Sequence, residues 1–259
     1  MMTETRHDTV DLPSLTPLDR RAAVELGRIE YRRLAEALAG LDDGEWQRPT
    51  DCEGWSVRDM AGHLLGSMAT VSSLRSVVRE QRAVAARAAR TGEAQVDAMT
   101  ALQIVAMADL TSSEVADRIA ATADAAADGR RRVPRPLARL VRFRVVMGSI
   151  DETWRLEYLL GTILTRDTWL HRVSDLARAV DRAPALDAGH DARIVADVAA
   201  EWARRHGRPV ELSLTGPAGG HFTAGRDGPS IELDAVEFCR ILSGRAEPTH
   251  PLLETFVPF

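Results

Sequence analysis

The sequence predicts an α+β fold in which a four-helix bundle is followed by a small α+β domain. Through residue 185, apolar residues recur at steps of three and four, which is the period of an amphipathic helix. Beyond residue 185, short apolar runs alternate with turns that contain glycine or proline, which is typical of strands. We therefore predict two domains, residues 1–185 and residues 186–259.

The composition excludes several classes of protein. Of the 259 residues, 45% are apolar and 27% are charged, so wholesale disorder is not expected. No apolar run approaches the roughly 18 residues that span a bilayer, and the polar N-terminus lacks the layout of a secretion signal. The net charge of -5 argues against general binding to nucleic acid. Only two cysteines are present, Cys52 and Cys239, which fits a reducing compartment, and the chain is predicted to be cytoplasmic. No membrane partner is predicted, and the oligomeric state stays open.

Capping signals mark the starts of the predicted bundle helices. The first helix, residues 16–41, opens with Thr16 and Asp19 in capping-box spacing. The same spacing opens two further helices: Ser56 with Asp59, and Thr111 with Glu114. Such pairs satisfy the free amide groups of a first helical turn, so they predict helix starts without reference to the rest of the fold.

The remaining elements follow from periodicity. A fourth bundle helix is predicted over residues 153–180, and a weaker helix over residues 95–108. After the segment DRAPALDAGHD, a helix over residues 191–206 is followed by strand, turn, strand, turn, strand and a closing helix. The segment RRRVPRPLARLVRFR, residues 130–144, carries seven arginines. Arg139, Arg142 or Arg144 could bind carboxylates, or the segment could be a solvated loop with a short amphipathic helix.

Two ionisable residues lie where the fourth helix should be apolar. Asp167 and His171 share the face that these residues define: Leu156, Leu160, Ile163, Leu164 and Leu170. Burying an unpaired carboxylate costs roughly several kcal/mol, so such a group is expected to be paired or to bind a metal. Their spacing of four lets one helix offer two ligands to one ion. A third ligand is expected from a facing helix, where His63 lies at the margin of the apolar stripe.

The residues alone leave other interpretations open. Asp167 and His171 could form a stabilising pair within the helix, with Asp175 as a further partner of His171. His63 could be a hydrogen-bonded core residue. Cys52 is expected to be a loop or small buried residue, because no base partner for a nucleophilic thiol is evident, and Trp55 is assigned to packing.

Three longer segments resemble one known family. The segments WQRPTDCEGWSVRDMAGHLLG, YLLGTILTRDTWLHRVSDLARA and AVEFCRILSGR are together similar to the mycothiol-dependent maleylpyruvate isomerase family. The resemblance covers nearly the whole chain and implies a DinB-like metal-binding helical bundle with a C-terminal domain similar to sterol-carrier proteins. It also implies a divalent metal, usually zinc, held by His63, Asp167 and His171. The family has glutamate where this chain has Asp167, and aspartate is also a zinc ligand.

The resemblance further implies an enzyme whose cofactor is mycothiol, the small thiol of actinobacteria. An arginine-only set of basic residues, typical of GC-rich genomes, agrees with such a source. The mycothiol sulfur would add to a small electrophilic, anionic substrate such as maleylpyruvate, allow rotation about the resulting single bond, and leave. Two alternatives stay open: a mycothiol S-transferase in detoxification or secondary metabolism, and a non-catalytic metal- or ligand-binding protein. The family's closing segment implies that Arg240 or Arg245 contacts substrate or thiol, whereas SGR could equally form a helix C-cap at Gly244.

Overall fold

The computed structural model describes residues 9–147 and 150–259 and divides them into two compact units. One unit comprises residues 19–184 together with Phe259, and the other comprises residues 9–18 and 185–258. The structure thus groups residues 9–18 with the later unit, whereas the sequence analysis assigned them to the earlier domain. The cause is a two-residue strand, too short to show a sequence pattern, that pairs with the later unit's sheet.

The earlier unit is helical, in agreement with the predicted bundle. Its helices are α1 Arg20–Ala39, α2 Asp43–Trp46, α3 Val57–Val71, α4 Leu74–Thr91, α5 Gln95–Ala106, α6 Ser112–Arg132, α7 Arg135–Leu140 and α8, residues 156–179. Helices α1, α3, α6 and α8 enclose the main core, which buries these side chains, among others: Tyr31, Leu34, Met60, Leu64, Met68, Ile119 and Leu176. None of the helices in the described part of the chain is long and apolar enough to cross a membrane.

The capping predictions are confirmed at two helices and wrong at one. The side chain of Ser56 accepts from the Asp59 amide while the Asp59 carboxylate accepts from the Ser56 amide, and Thr111 and Glu114 form the same box. The first helix, however, begins at Arg20 with Asp19 as its N-cap. The Leu18 amide instead donates to the Asp197 carboxylate, which holds the preceding residues outside the helix.

Helix α2, helix α4 and a pair of strands, all before α8, were not predicted. Helix α4 was missed although its sequence is amphipathic, with Leu74, Val77 and Val84 on one side of the helix. The prediction that the fourth helix begins at residue 153 is wrong, because residues 150–155 form a strand: β3, Ile150–Arg155, pairs antiparallel with β2, Arg142–Met147. The short helix expected in the arginine-rich segment is present as α7.

Helix α8 contains two π-helical turns, Leu159–Ile163 and His171–Leu176. A π turn leaves backbone groups without their usual α-helical partners. At the first turn the guanidinium of Arg130, fully buried, donates to the carbonyls of Leu160 and Gly161 at 2.7 and 2.8 Å. Gly27 of α1 makes room for this side chain, since an added Cβ would collide with the Arg130 guanidinium.

The later unit has the predicted order of elements. Helix α9, Asp191–His206, is followed by three strands and a helix: β4 Val210–Thr215, β5 Gly220–Ala224, β6 Ser230–Asp234 and α10 Ala235–Leu242. Strand β1, Val10–Asp11, completes a sheet of order β1-β5-β4-β6, in which β4 pairs antiparallel with β5 and parallel with β6. Trp202 and Phe238 meet edge to face in its core, with ring centroids 5.3 Å apart. The α+β fold class is thereby confirmed.

Candidate functional site

The bundle interior brings together the three residues that the sequence singled out as metal ligands. His63 is on α3, where its neighbours Met60 and Leu64 are buried, and Asp167 and His171 are one turn apart on α8. Nε2 of His171 lies 3.3 Å from Oδ1 of Asp167, and Nε2 of His63 lies 3.7 Å from Oδ2. Both imidazoles are buried, while 22% of the Asp167 side chain is exposed, so the cluster opens on the carboxylate side.

The other nitrogen of each imidazole already has a partner. Nδ1 of His171 lies 2.6 Å from Oδ2 of Asp175, and Nδ1 of His63 lies 2.8 Å from Oε1 of Gln103. Both partners are acceptor oxygens, so each Nδ1 carries the proton and donates it. In its neutral form, each imidazole therefore presents the lone pair of its Nε2 toward Asp167, as in histidine ligands whose second nitrogen is held by a carboxylate or carbonyl.

Three electron-pair donors consequently converge, and their ligand atoms all lie within 4.8 Å of one another. Neutral imidazoles that donate through Nδ1 have no hydrogen to offer the carboxylate, so the cluster requires a positive charge, either a proton or a metal ion. Two histidines and one carboxylate form a ligand set found in catalytic zinc sites, where the fourth position stays open. The donor set of His63, Asp167 and His171 therefore fits a divalent metal.

The pKa shifts of Asp167 and His171 in the metal-free cluster also indicate that a positive charge is needed there. Burial alone would raise the pKa of Asp167, but the charge and hydrogen bonds of His171 and His63 hold it below its usual value. Burial alone would lower the pKa of His171, but the charge of Asp167 and hydrogen bonds to Asp167, Asp175 and Cys52 raise it well above its usual value. Without a metal, a proton on His171 supplies the charge at pH values below its raised pKa.

The loop before α3 forms one side of the cluster. The Trp55 ring is stacked on that of His171, with centroids 6.3 Å apart, and lies 5.2 Å from the His63 ring. The thiol of Cys52 lies 3.9 Å from Nδ1 of His171 and 3.7 Å from Oδ2 of Asp175. Sequence reasoning had assigned these two residues to packing and to the loop, because their sequence positions hold no signal of contact with α8.

Gln103 is the site residue that sequence reasoning missed entirely. It is buried on α5, and α5 has little amphipathic patterning that would have marked one of its faces as inward. The available signal was one polar side chain within the otherwise apolar run ALQIVAM. Asp175, in contrast, continues the spacing of four from Asp167 and His171, and it was recognised as a candidate partner of His171.

Two of the arginines predicted to contact substrate or thiol lie near the end of the chain. Arg240 and Arg245 belong to the later unit, where the Arg240 guanidinium donates to Glu237 at 2.9 Å and to the Arg245 carbonyl at 3.1 Å. The Arg245 amide donates to the Arg240 carbonyl, and Gly244 has a φ of 80°, so SGR forms the C-cap that was one of its two interpretations. A contact of either arginine with substrate or thiol stays a prediction.

Within the arginine-rich segment, Arg131, Arg139 and Arg144 pair with acidic side chains at the surface. Arg139 pairs with Glu157 at 3.1 Å, and Arg144 pairs with Asp151, with 62% and 71% of the two arginine side chains exposed. These exposures favour the solvated interpretation for both arginines.

Fold and site together define a class of protein: a helical bundle with a buried His, Asp, His cluster, joined in sequence to a small α+β unit. Residues 28–177 match the sequence model of the mycothiol maleylpyruvate isomerase N-terminal domain, which is more than half of the chain. The chain therefore belongs to the mycothiol maleylpyruvate isomerase family, as its sequence segments predicted.

Two solved structures are similar to the whole chain. The crystal structure of a mycothiol-dependent maleylpyruvate isomerase is 17% identical, with a TM-score of 0.52, and the match covers 92% of this chain and 93% of that one. A histidine-to-alanine mutant of a mycothiol-dependent maleylpyruvate isomerase matches at 16% identity with the same coverage and TM-score. At these identities the similarity concerns the fold. A comparison with curated proteins finds no match.

Proposed function

We propose that this chain is a mycothiol-dependent metalloenzyme whose His63, Asp167 and His171 bind a divalent metal ion, zinc being the expected one. One observation carries the proposal: both Nε2 atoms face the Asp167 carboxylate while both Nδ1 atoms are held by acceptor oxygens. This arrangement orients two lone pairs and a carboxylate toward one point, and a core histidine that only satisfied its own hydrogen bonds would not need it.

The chain's own residues prepare this point for chemistry. His63, Asp167 and His171 would hold the zinc ion, and a thiol bound at its open position would be deprotonated readily, giving a thiolate nucleophile at neutral pH. Asp175 and Gln103 orient the two imidazoles, which keeps their lone pairs directed inward. The Trp55 indole covers both rings and limits the access of water from that side. The exposed part of Asp167 marks the side from which thiol and substrate would enter.

We propose isomerisation of a small electrophilic, anionic substrate such as maleylpyruvate as the reaction. Family membership supports it, and the similar crystal structures are those of mycothiol-dependent maleylpyruvate isomerases. Arg240 or Arg245 is proposed to contact the anionic substrate or the thiol, which rests on the family resemblance of the closing segment. If so, replacing the contacting arginine by alanine raises KM for one of the two compounds and leaves the metal content unchanged.

A second candidate activity is transfer of mycothiol to an electrophile without its release. The observation that favours it is Asp167, whose side chain is one methylene shorter than the glutamate of the family pattern. A shorter ligand alters the space beside the ion, and thereby the electrophile that fits there. The two activities differ in product: an isomerase regenerates mycothiol, whereas a transferase consumes one mycothiol for each substrate molecule.

The first experiment is metal analysis by plasma mass spectrometry on protein purified without a histidine tag. About one equivalent of zinc is expected, because His63, Asp167 and His171 together would hold one ion, and His63→Ala and His171→Ala should each lose it. The metal-loaded protein is then assayed with maleylpyruvate, with and without mycothiol. Isomerisation only with mycothiol supports the enzyme, and a bound metal without thiol-dependent turnover indicates a binding protein. Absence of metal, with no uptake of added zinc, would overturn the proposal.

A further inference from the structure

The amide of Gln103 lies between a candidate metal ligand and a second acidic residue. Its Oε1 is 2.8 Å from Nδ1 of His63, and its Nε2 is 2.8 Å from Oε1 of Glu80 on α4. Gln103 is buried, with 4% of its surface exposed, and Glu80 is half-buried. A hydrogen-bonded chain thus connects α4, α5 and α3, and it ends at the imidazole.

The chemistry of the carboxylate sets the direction of every hydrogen bond in this chain. An ionised carboxylate only accepts, so the side of the Gln103 amide that faces Glu80 must be the NH2 group. The oxygen of the amide then faces His63, and Nδ1 of His63 must donate to it. Nε2 of the neutral ring is consequently left with its lone pair, directed toward Asp167. Without Glu80, the amide could rotate by half a turn and offer its NH2 group to His63.

Close packing of α5 against α3 brings Gln103 within reach of His63. A Cβ added at Gly66 of α3 would lie 2.6 Å from Cβ of Gln103 and 3.0 Å from its Cα, closer than real contacts allow. Glycine at position 66 therefore lets α5 approach α3 closely enough for the Gln103 side chain to reach the ring of His63. Gln103 lies 40 positions from His63 in the sequence, so only the packing of these helices brings the two together.

We propose that Gln103 and Glu80 are positioning residues that hold His63 in the form protonated at Nδ1, and that the α4 and α5 helices thereby set the metal affinity of the bundle site. The statement on metal affinity rests on the proposed function. The statement on the Nδ1 proton does not, because the hydrogen bonds exist without a metal.

The first test measures zinc affinity by competition with a coloured chelator. Gln103→Leu removes the acceptor at similar size and should weaken zinc binding by about 10- to 100-fold, the range for loss of a group that orients a metal ligand. The matched control is Gln81→Leu, which makes the same change at the exposed neighbour of Glu80 and should leave the affinity unchanged. Equal affinities of Gln103→Leu and the unaltered protein would overturn the inference.

An exchange of the two groups tests the direction of the hydrogen bonds. In the double variant Gln103→Glu with Glu80→Gln, the carboxylate at position 103 can accept from His63, and the amide at position 80 can donate to that carboxylate. Affinity should return to within a few-fold of the unaltered protein, whereas a loss as large as that of Gln103→Leu would contradict the assigned directions. Should Gln103→Leu not fold, Glu80→Ala leaves the buried position intact and should weaken binding; an unchanged affinity there would also contradict the inference.

A proton spectrum of the metal-free protein, labelled with nitrogen-15 in histidine, separates this inference from the proposed function. A hydrogen-bonded Nδ1 proton gives a downfield resonance protected from exchange with water, and His63→Ala identifies the one that belongs to His63. The resonance should persist in Gln81→Leu and disappear in Gln103→Leu. Its persistence in Gln103→Leu would overturn the inference even if zinc binds, and its loss would support the positioning role even if no metal binds.

Discussion

The imidazole of His171 is held between two carboxylates of its own helix. Asp167, four residues earlier, faces Nε2 at 3.3 Å, and Asp175, four residues later, holds Nδ1 at 2.6 Å. Side chains four residues apart share one face of a helix, so α8 alone supplies two candidate ligands, Asp167 and His171, and also Asp175, which orients His171. The His171–Leu176 segment is a π-helical turn, a feature that often occurs at functional sites.

Removal of the Asp175 carboxylate should weaken metal binding without removing a ligand. Asp175→Ala takes away the acceptor that orients His171, and we expect zinc affinity to fall by about 10- to 100-fold. Asp175→Asn keeps a carbonyl oxygen that can accept from Nδ1 and should lose less. Chelator competition measures both values. Identical affinities for Asp175→Ala and the unaltered protein would show that packing alone orients the His171 ring.

Substitutions of Asp167 should show whether the site needs a carboxylate at this position and whether it needs the short aspartate side chain. Asp167→Ala should abolish stoichiometric metal binding, because two imidazoles alone leave the site with one ligand fewer. Asp167→Glu restores the residue type of the family pattern and should retain about one equivalent. Metal analysis of the purified variants distinguishes them. Full zinc content in Asp167→Ala would remove Asp167 from the ligand set.

Metal binding should release a proton and therefore weaken as the pH falls. The pKa of His171 is raised in the metal-free protein by Asp167, so below that pKa a proton occupies the position that the metal would take. Above that raised pKa there is no proton to displace, and the pH dependence from His171 disappears. Calorimetric titration at pH 7 in buffers of different ionisation enthalpy should report about one proton released per zinc ion. Heats that do not depend on the buffer would contradict this assignment.

Cys52 should not be required for metal binding, although its thiol is close to His171. The sulfur lies 3.9 Å from Nδ1, the nitrogen held by Asp175, rather than at the Nε2 atom that faces Asp167. Cys52→Ser is therefore expected to bind zinc with the stoichiometry of the unaltered protein. A loss of zinc in this variant, measured beside His63→Ala, would make the thiol a ligand and move the metal to the other edge of the ring.

The buried Arg130 should be essential for the stability of the helical unit. Besides the two carbonyls of α8, its guanidinium donates to the Tyr31 hydroxyl at 3.0 Å and to the Thr165 hydroxyl at 2.6 Å. Arg130→Leu removes this buried donor from all four groups and should destabilise the unit by on the order of 3 kcal/mol. Arg131→Leu, at a half-exposed neighbour, is the matched control and should change stability by less than about 0.5 kcal/mol. Urea unfolding followed by circular dichroism compares them; similar midpoints would contradict the structural role of Arg130.

The sequence predicted those features that depend on neighbours within about four residues. The capping boxes at Ser56 and Thr111 were recognised because both partners lie in one turn, and the pairing of Asp167 with His171 follows from the same helical geometry. The start of α1 was misplaced because a distant carboxylate, that of Asp197, binds the Leu18 amide. A local pattern cannot reveal a partner 179 positions away.

The sequence by itself determined the fold class, several of the helix starts and the spacing that presents Asp167, His171 and Asp175 on one side of α8. Only the tertiary structure decided that His63 faces Asp167 and that Arg130 binds the carbonyls of a π turn. The same holds for the hydrogen bonds that join His63 to Gln103 and Gln103 to Glu80. The physical reason is the range of the interactions. Periodicity and capping arise within one helix, whereas these contacts require helices far apart in sequence to pack at one distance and register.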